Sequence, residues 1–411
     1  MTEPHPAFHA IAKPVGPICN LDCSYCYYLE KERLYPETAS WRLDQPELEA
    51  FIKQYIEAQQ VPVVSFTWQG GEPTLAGLEY FQRIVNLQRR HAMGKRVENC
   101  LQTNAMFLDD EWCEFLARER FLVGVSIDGP QPLHDMYRVS KGGQGSFDRV
   151  MDGIERLKQF QVEFNTLTVV HRGNADYGLD VYRFLKSIGS RYLQFLPVVE
   201  RVHSADDTGL VQLALPDARD AAVTDWSVLP DQHGRFLCEI FNEWVQHDVS
   251  RIFVQQFDVA LESWLGLTPA LCVFRETCGA AIAVEHNGDV YSCDHFVFPD
   301  YLLGNVSETS LSELVNSPRQ QAFGEAKCST LPRLCRECDV RFACHGECPK
   351  NRFMSTPDGE PGLNYLCPSY LKFFRHIDRY MTFMANELRS RRPPANVMHY
   401  ARLHPPAAWE V

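Results

Sequence analysis

The chain has 411 residues, of which 45% are hydrophobic, and its formal net charge at pH 7 is −13. This length can bury two or three cores, and the acidic balance argues against a nucleic-acid binder, although an acidic surface could attract a basic peptide substrate. The longest apolar runs fall far short of a membrane span and the first residues do not resemble a signal peptide, so we expect a cytoplasmic protein.

Apolar strands alternate with amphipathic helices up to about residue 200. Strands are predicted over residues 8–12, 61–68, 100–103, 122–127, 162–170 and 192–198. Helices are predicted over residues 45–59, 78–91, 109–119, 147–159 and 177–188. This alternation is typical of a parallel sheet with helices packed outside it, and such a sheet carries its chemistry at the carboxyl ends of the strands.

The pattern changes in the second half of the chain. Residues 201–270 are irregular and polar at first and then predict helices over 236–247 and 257–265. Residues 271–370 are loop-rich and hold nine cysteines, eight of them in closely spaced groups, so we expect metal clusters to keep this region ordered. A last helix is predicted to reach about residue 388, before a proline-containing tail.

Three cysteines follow the first predicted strand with the spacing C-x3-C-x2-C, namely Cys19, Cys23 and Cys26. Three thiolates can hold three corners of a four-iron cluster and leave the fourth iron open to a substrate or cofactor. The alternative is a zinc ion with His5 or His9 as its fourth ligand.

Small and polar residues lie at the ends of the next three strands. Gly70-Gly71-Glu72-Pro73 follows the second strand, Gln102-Thr103-Asn104 ends the third, and Ser126 ends the fourth. Consecutive glycines let the backbone approach a ligand, and strand-end carbonyls can accept hydrogen bonds from an ammonium group. Arg138 could hold a carboxylate through two hydrogen bonds. Together these groups would bind both ends of an amino acid.

Fifteen cysteines in a reducing compartment indicate metal or redox chemistry rather than disulfides. Isolated cysteines in periodic segments are interpreted as small buried hydrophobic residues: Cys100, Cys113, Cys238 and Cys328. Eight others form a C-terminal system: Cys272, Cys278, Cys293, Cys335, Cys338, Cys344, Cys348 and Cys367. Eight thiolates complete two four-cysteine sites, which could hold iron–sulfur clusters or two structural zinc ions.

Together these motifs resemble those of a radical S-adenosylmethionine (SAM) enzyme with a SPASM extension. The stretches C-D-H at 293–295, C-H-G-E-C-P-K at 344–350 and L-N-Y-L-C at 363–367 are most similar to the anaerobic sulfatase-maturating enzymes. The resemblance covers all but the linker at about 201–235 and the tail after 390. It implies an α/β fold with a partial (β/α)6 TIM-like barrel over 1–235, a helical linker over 236–270, a SPASM auxiliary-cluster domain over 271–372, and a C-terminal helix and tail over 373–411.

The resemblance also implies three 4Fe–4S clusters and reductive cleavage of SAM at the three-cysteine cluster. The resulting 5′-deoxyadenosyl radical would take a β-hydrogen from a cysteine or serine in a sulfatase polypeptide, and oxidation would give formylglycine. The implied partners are an unfolded sulfatase polypeptide and a flavodoxin or ferredoxin as electron donor.

The same resemblance assigns residues by position. SAM contacts fall on Tyr25, Gly70, Ser126, Arg138 and Val199. The first auxiliary cluster is assigned to Cys272, Cys278, Cys293 and Cys348, and the second to Cys335, Cys338, Cys344 and Cys367. Asp294 takes the position of the family's proposed base, where it would accept the substrate thiol or hydroxyl proton. General-base help of this kind is typically worth ~10²–10⁴-fold, whereas the alternative is an aspartate that caps a turn.

Two departures from the family pattern concern substrate fit. Ala105 stands where glycine is usual, which is mildly costly if that position needs a positive φ, and Val199 is smaller than the usual aliphatic residue. Three alternatives stay open: a SPASM maturase that modifies or crosslinks another peptide, an electron carrier with three clusters, and a zinc-stapled scaffold. The carrier would need a fourth protein ligand for its first cluster.

Overall fold

The computed structural model describes residues 7–36, 40–203, 213–214, 218 and 221–408. The chain forms two compact units, and each unit is built from three separate segments. The first unit comprises Met1–Ser126, Arg138–Phe164 and Thr277–Ala326, and the second comprises Ile127–Tyr137, Asn165–Glu276 and Lys327–Val411.

The strands of the described residues are β1 (His9–Ala12), β2 (Val63–Trp68), β3 (Arg96–Thr103), β4 (Leu122–Ser126), β5 (Phe164–Val170), β6 (Tyr192–Pro197), β7 (Arg201–His203), β8 (Ala221–Val223), β9 (Phe253–Val254), β10 (Ala281–Val284), β11 (Asp289–Tyr291), β12 (Leu302–Asn305), β13 (Met354–Ser355) and β14 (Pro361–Leu363).

The helices of the same residues are α1 (Gln45–Ala58), α2 (Leu78–His91), α3 (Asp110–Arg118), α4 (Gln131–His134), α5 (Phe147–Gln159), α6 (Gly178–Ser187), α7 (Pro230–His247), α8 (Gln255–Leu265), α9 (Leu311–Val315), α10 (Pro318–Ser329), α11 (Arg333–Arg336), α12 (Arg341–Cys344), α13 (Cys367–Arg389) and α14 (Val397–Leu403). The predicted alternation is therefore confirmed, because β1 to β6 are separated by α1, α2, α3, α5 and α6.

The sheet of the first unit places four parallel strands side by side, in the order β1, β2, β3, β4. Ile11 pairs with Thr67 across β1 and β2, and Leu101 pairs with Val123 across β3 and β4. The carboxyl ends of these strands therefore meet at one edge, which is where the sequence motifs lie. On the other side of β1 the sheet continues through β10, which is parallel to β1, and then through the antiparallel strands β11 and β12.

The core of the first unit lies between this sheet and helices α1 and α2. Strand β2 alternates buried and partly buried residues, and it buries Phe66 and Trp68, whose stacked rings lie 5.7 Å apart. Phe51 of α1 packs edge-on against both rings. A strand with this period presents one whole face to its helices, so β2 is held in register and the turn after it is fixed in place.

The second unit contains the parallel strands β5, β6 and β9. Its core is helical: Phe241 of α7 contacts Phe257 of α8 at 5.2 Å between ring centroids, and Phe257 stacks on Phe373 of α13 at 5.9 Å. The Nδ1 atom of His233 in α7 and the Ser369 hydroxyl form a hydrogen bond of 2.8 Å. Burial lowers the pKa of His233 to about 3.

Two differences from the sequence prediction concern the second half of the chain. Helix α7 begins at Pro230 rather than at residue 236, because proline is suited to the first helical turn and the Gln232 side chain accepts a hydrogen bond from the Leu229 amide at 3.4 Å. The loop-rich region also contains β10 to β12, which extend the sheet of the first unit. Among the described residues, no helix combines the length and the apolar character that crossing a membrane requires.

Candidate active site

The three cysteines of the first motif lie on one loop after β1. The Cys26 amide donates to the Cys23 carbonyl at 2.9 Å, and the Cys19 Sγ accepts a hydrogen bond from the Leu21 amide at 3.4 Å. Burial raises the pKa of Cys19 to about 11, and the Leu21 amide acts in the opposite direction. Three partly buried thiols on one short loop fit a cluster that is ligated by three cysteines, because ligation deprotonates thiols that would otherwise stay neutral.

The Gly-Gly-Glu-Pro turn after β2 holds this loop through backbone hydrogen bonds. The Gly71 amide donates to the Gly16 carbonyl at 2.8 Å, and the Glu72 amide donates to the Ile18 carbonyl at 2.9 Å. A Cβ atom at position 71 would lie only 2.0 Å from the Ile18 carbonyl oxygen. Glycine is therefore required at position 71, since any side chain would displace the backbone that leads into Cys19.

Glu72 connects the turn to the end of β3, a role that the sequence interpretation missed. Its buried carboxylate accepts hydrogen bonds from the Thr103 hydroxyl at 2.7 Å and the Asn104 amide at 2.8 Å. It also accepts from the Thr74 hydroxyl at 2.6 Å and the Thr74 amide at 3.0 Å. Burial raises the pKa of Glu72, while these donors act to lower it. The sequence signal for this role was an acidic residue, Glu72, placed between two glycines and a proline in a turn.

Asn104 and Ala105 continue from β3 toward the cysteine loop. The Asn104 side chain donates to the Asn20 side-chain carbonyl at 2.8 Å, which ties the end of β3 to the loop between Cys19 and Cys23. Ala105 has a φ of 61°, so this position does adopt the left-handed conformation for which glycine is favoured. A Cβ at Gly153 of α5 would lie 2.3 Å from the Ala105 carbonyl oxygen, so Gly153 makes room for this turn.

Four of the residues predicted to contact SAM belong to the first unit. The Arg138 guanidinium lies 5.7 Å from the Tyr25 ring centroid, and it also acts to lower the pKa of Cys19. Ser126 accepts a hydrogen bond from the Gln102 side chain at 2.9 Å, which brings the ends of β3 and β4 together. Gly70 has a φ of 136°, and a Cβ there would lie 2.8 Å from the Gly16 carbonyl oxygen.

Val199, the fifth predicted SAM contact, is buried in the second unit. Its neighbour Glu200 pairs with Lys350 of the C-H-G-E-C-P-K stretch in that same unit. The Glu200 carboxylate therefore has a partner within the chain. The assignments of all five residues to SAM stay predictions.

Asp294 directly follows Cys293 and forms an ion pair with Lys13, whose side chain is only 2% exposed. The Tyr27 hydroxyl donates to the other carboxylate oxygen at 2.7 Å. Burial acts to raise the pKa of Asp294, but Lys13 and then His295 outweigh it, so the pKa lies below its usual value. Lys13 lies directly after β1, and Tyr27 directly follows Cys26. The carboxylate is therefore held by groups on both sides of the cysteine loop, in the first unit.

Lys13 and the residues around it were not identified as functional from the sequence. The Lys13 ammonium also lies 4.5 Å from the Tyr28 ring centroid, and the Tyr28 hydroxyl donates to the buried Glu285 carboxylate at 2.5 Å. The available signal was a lysine directly after the first predicted strand, but a single sequence does not show that this lysine is buried. These contacts place a buried, charged layer beside the cysteine loop.

The four cysteines predicted for the second auxiliary cluster line one cavity in the second unit, together with Val340, Arg341, Gly346, Asn364, Tyr370 and Leu371. Burial raises the pKa of Cys344 to about 12 and that of Cys367 to about 11. Four thiols facing a largely apolar space fit a fully ligated iron–sulfur cluster, which such a cavity would shield from water.

The cysteines predicted for the first auxiliary cluster are divided between the units. Cys278 and Cys293 belong to the first unit, where the Cys278 amide donates to the Gly324 carbonyl at 3.1 Å. Cys272 and Cys348 belong to the second unit, where Cys348 is buried and Cys272 begins a single 3₁₀ turn. Their common ligation of one cluster stays a prediction.

Comparisons with known proteins agree with these features. Residues 14–185 match the Radical SAM superfamily, and residues 272–339 match the SPASM iron–sulfur cluster-binding domain. The first match contains the three-cysteine loop, and the second contains Cys272, Cys293 and Cys335.

Full-length relatives match almost the whole chain. A serine-type anaerobic sulfatase-maturating enzyme of Bacteroides thetaiotaomicron is 50% identical over 95% of this chain and 94% of its own length. A cysteine-type anaerobic sulfatase-maturating enzyme of Clostridium perfringens is 31% identical over 93% of this chain and 100% of its own length. A solved structure of anSMEcpe with bound AdoMet and the Cp18Cys peptide matches with a TM-score of 0.80 and 30% identity, covering 93% of this chain and 100% of that chain.

Proposed function

Because the chain belongs to the anaerobic sulfatase-maturating enzymes of the radical SAM superfamily, we propose that it oxidises the target serine of an unfolded sulfatase polypeptide to formylglycine. It is an oxidoreductase that modifies a peptide residue, and its cofactors are 4Fe–4S clusters and SAM. The partial-barrel and SPASM fold predicted from the motifs is confirmed by the two family matches and by the full-length structural match.

The preference for serine depends on one observation. One serine-type relative is 50% identical to this chain, another serine-type relative is 35% identical, and a cysteine-type relative is 31% identical, although all three match along most of the chain. A hydroxyl and a thiol differ in size and acidity, so we expect the residues that position the target side chain to differ between serine-type and cysteine-type enzymes. The remaining alternative, a maturase for another peptide, has no observation in its favour.

When bound, the three-cysteine cluster and SAM supply the radical that removes a β-hydrogen atom, and an auxiliary cluster supplies an acceptor for one electron. The serine must also lose its hydroxyl proton before its carbon–oxygen bond becomes an aldehyde. We assign this proton to the Asp294 carboxylate, with Lys13 and Tyr27 as the groups that hold it in place. The ion pair favours the charged form of Asp294, which is the form that can accept a proton.

We also propose a flavodoxin or ferredoxin as the electron donor and the cytoplasm as the location. Reductive cleavage of SAM needs a one-electron donor of low potential, which both carriers provide. Fifteen cysteines, eleven of them assigned to clusters, are compatible with a reducing compartment, in which thiols stay free for metal ligation.

The experiment is a competition between two sulfatase-motif peptides that differ only in serine or cysteine at the target. Both are incubated anaerobically with the enzyme, SAM and a reductant, and their masses are followed with the release of 5′-deoxyadenosine. The proposal predicts that the serine peptide loses two hydrogen atoms faster than the cysteine peptide is converted to the same aldehyde. Faster conversion of the cysteine peptide would overturn the serine assignment. Release of 5′-deoxyadenosine with both peptides unchanged would instead point to another peptide substrate.

A further inference from the structure

Three consecutive residues between Cys344 and Cys348 have a left-handed backbone. His345, Gly346 and Glu347 have φ values of 46°, 73° and 51°. For residues other than glycine this conformation costs roughly 1–2 kcal/mol each, and it normally occurs at single residues rather than in runs. Residues 345–347 therefore form an unusual left-handed turn. The turn belongs to the second unit, and its glycine lines the cavity that the four cysteines assigned to the second auxiliary cluster also line.

Arg352 binds the carbonyl groups of the left-handed turn. Its guanidinium donates hydrogen bonds to the His345 and Gly346 carbonyls at 2.8 Å each and to the Glu347 carbonyl at 3.1 Å. The same guanidinium donates to the Lys327 carbonyl at 2.5 Å. A guanidinium group carries its donors in a rigid planar fork, whereas an ammonium group is a compact point charge. One side chain therefore gives every carbonyl of the turn a partner and fixes the turn to the backbone at position 327.

The amide groups of the left-handed turn include one that reaches a cluster ligand. The His345 amide donates to the Arg341 carbonyl at 2.9 Å, and the Glu347 amide donates to the Cys344 carbonyl at 2.9 Å. The Gly346 amide donates to the Cys344 sulfur instead: burial raises the pKa of Cys344, and this hydrogen bond acts in the opposite direction. The turn thus presents one N–H group to a sulfur that is assigned to the second auxiliary cluster.

The left-handed turn has a second anchor, which does not involve Arg352. The buried Glu347 carboxylate accepts hydrogen bonds from the Asn364 side chain at 2.6 Å and from the Asn351 side chain at 3.2 Å. The Asn364 side-chain oxygen accepts a hydrogen bond from the Leu366 amide at 2.7 Å. Because these contacts hold the turn through Glu347, we expect Arg352 to set the orientation of its peptide groups rather than its place in the fold.

The charge of Arg352 is an effect separate from its hydrogen bonds. Burial raises the pKa of Cys335, and the Arg352 guanidinium acts to lower it. The guanidinium therefore lies close enough to the cavity for its charge to act on an assigned ligand. A test of Arg352 has to separate this charge from its hold on the turn.

We propose that Arg352 is a positioning residue that fixes the left-handed turn, so that the Gly346 amide donates to the Cys344 sulfur and raises the reduction potential of the second auxiliary cluster. The reduced cluster carries one more negative charge than the oxidised cluster, and a hydrogen bond to a ligand sulfur stabilises the more negative form. Hydrogen bonds to the sulfurs are among the factors that set the potentials of iron–sulfur clusters. The inference goes beyond the proposed function, because it concerns a cluster whose four assigned ligands lie in one unit and it involves no substrate.

The test is a potentiometric titration followed by electron paramagnetic resonance, with pulsed electron–nuclear double resonance of the reduced protein in H₂O and after full exchange into D₂O. Replacing Cys19, Cys23 and Cys26 with alanine in the full chain leaves the two auxiliary clusters. In this background, Cys338→Ser identifies the signal of the second auxiliary cluster, because it changes one of the ligands assigned to that cluster. The double resonance detects an exchangeable proton close to a cluster sulfur, which is the signature expected of the Gly346 amide.

Two substitutions of Arg352 separate its charge from its hydrogen bonds. Arg352→Met removes both, while Arg352→Lys keeps the charge and loses the planar fork that contacts three carbonyls. Arg333→Met is the matched control, because Arg333 precedes Cys335 closely in the sequence and its side chain is 62% exposed and pairs with Asp358. Its charge is screened by solvent, and Asp358 is the partner of its guanidinium.

We expect both Arg352 variants to shift the midpoint potential of the second auxiliary cluster to a more negative value and to lose the coupling of one exchangeable proton. Arg333→Met should keep the potential and the coupling of the parent protein. An iron-replete Arg352→Met protein with unchanged potential and coupling would overturn the proposal. A negative shift in Arg352→Met that is absent from Arg352→Lys, with the coupling retained in both, would overturn it as well, since the charge alone would then explain the shift.

Loss of the second auxiliary cluster has a defined meaning in the same experiment. If only Arg352→Met loses the cluster, the potential and the coupling of Arg352→Lys decide by the same criteria. Loss of the cluster from both variants would assign Arg352 to cluster assembly and would overturn the proposal.

The outcome is separable from the fate of the proposed function. The titration contains no peptide, so a negative shift with loss of the proton coupling would support the role of Arg352 even if sulfatase peptides were not substrates. Conversely, formylglycine formation by the parent enzyme, together with unchanged potentials in the Arg352 variants, would keep the proposed function and remove the role of Arg352.

Discussion

Replacing Asp294 with asparagine removes the proposed base and keeps the shape of the side chain. The amide oxygen can still accept the hydrogen bond that the Tyr27 hydroxyl now donates at 2.7 Å. What is lost is the negative charge, both as a proton acceptor and as the partner of Lys13. General-base catalysis is typically worth ~10²–10⁴-fold, so we expect formylglycine formation to slow by about that factor.

The same substitution has a structural cost that must be separated from catalysis. The Lys13 and Asp294 side chains are 2% and 16% exposed, and removing one partner of a buried ion pair costs about 3–5 kcal/mol. The double variant Lys13→Met/Asp294→Asn removes both charges and should recover most of this stability. It should not recover activity, because the proton acceptor is still absent.

The assay measures formylglycine and 5′-deoxyadenosine in the same anaerobic reaction, with thermal unfolding of each variant in parallel. Asp300→Asn is the matched control, since this exposed aspartate lies in the same unit and should tolerate the change. In Asp294→Asn, 5′-deoxyadenosine should still form while formylglycine falls. A folded Asp294→Asn enzyme with normal formylglycine yield, or a double variant with restored activity, would refute the role of Asp294 as base.

Three further substitutions test the surroundings of the site and the stability of the fold. Gly71→Ala places a Cβ 2.0 Å from the Ile18 carbonyl oxygen, so it should lose the iron of the three-cysteine cluster and keep the auxiliary iron, as measured by iron analysis and absorption spectra. Glu72→Gln presents an amide to donors that need an acceptor, so it should destabilise the fold by about 1–3 kcal/mol and weaken SAM binding, and an unchanged SAM affinity would contradict this account. Asp258 has its pKa raised to about 7, first by burial and then by Glu262, so the folded state loses stability as the pH rises from the ordinary value of 3.8 through about 7. At a pH above about 7, Asp258→Asn should therefore stabilise the fold by up to roughly 4 kcal/mol, which would appear as a higher thermal midpoint. This gain in stability should vanish at a pH below about 4.

Most of the barrel could be predicted because its strands are short apolar runs between strongly amphipathic helices. Helices α2 and α5 begin and end at the predicted residues. Strand β3 begins four residues earlier than predicted, at Arg96, and the sequence prediction left out these residues because Arg96, Glu98 and Asn99 are polar. Strands β10 to β12 have only three or four residues each, which is too short for a periodic pattern to identify them.

Only part of the site could be predicted from the sequence. The cysteines and the glycine turn were visible because their spacing is local. The contacts of Lys13 with Asp294 and of Arg352 with the Lys327 carbonyl join residues that are far apart along the chain, and single-sequence patterns carry no such pairing. Ala105 illustrates an intermediate case, since the sequence raised the question of a positive φ and the structure answered it.

The most direct test of the account follows hydrogen from the substrate. A sulfatase-motif peptide with a serine deuterated at its β-carbon is incubated with the iron-replete enzyme, SAM and a reductant, and both products are examined by mass spectrometry. The account predicts deuterium in 5′-deoxyadenosine and an aldehyde at the former serine, in equal amounts. Aldehyde formation without deuterium transfer, or 5′-deoxyadenosine without deuterium and with unchanged peptide, would contradict it.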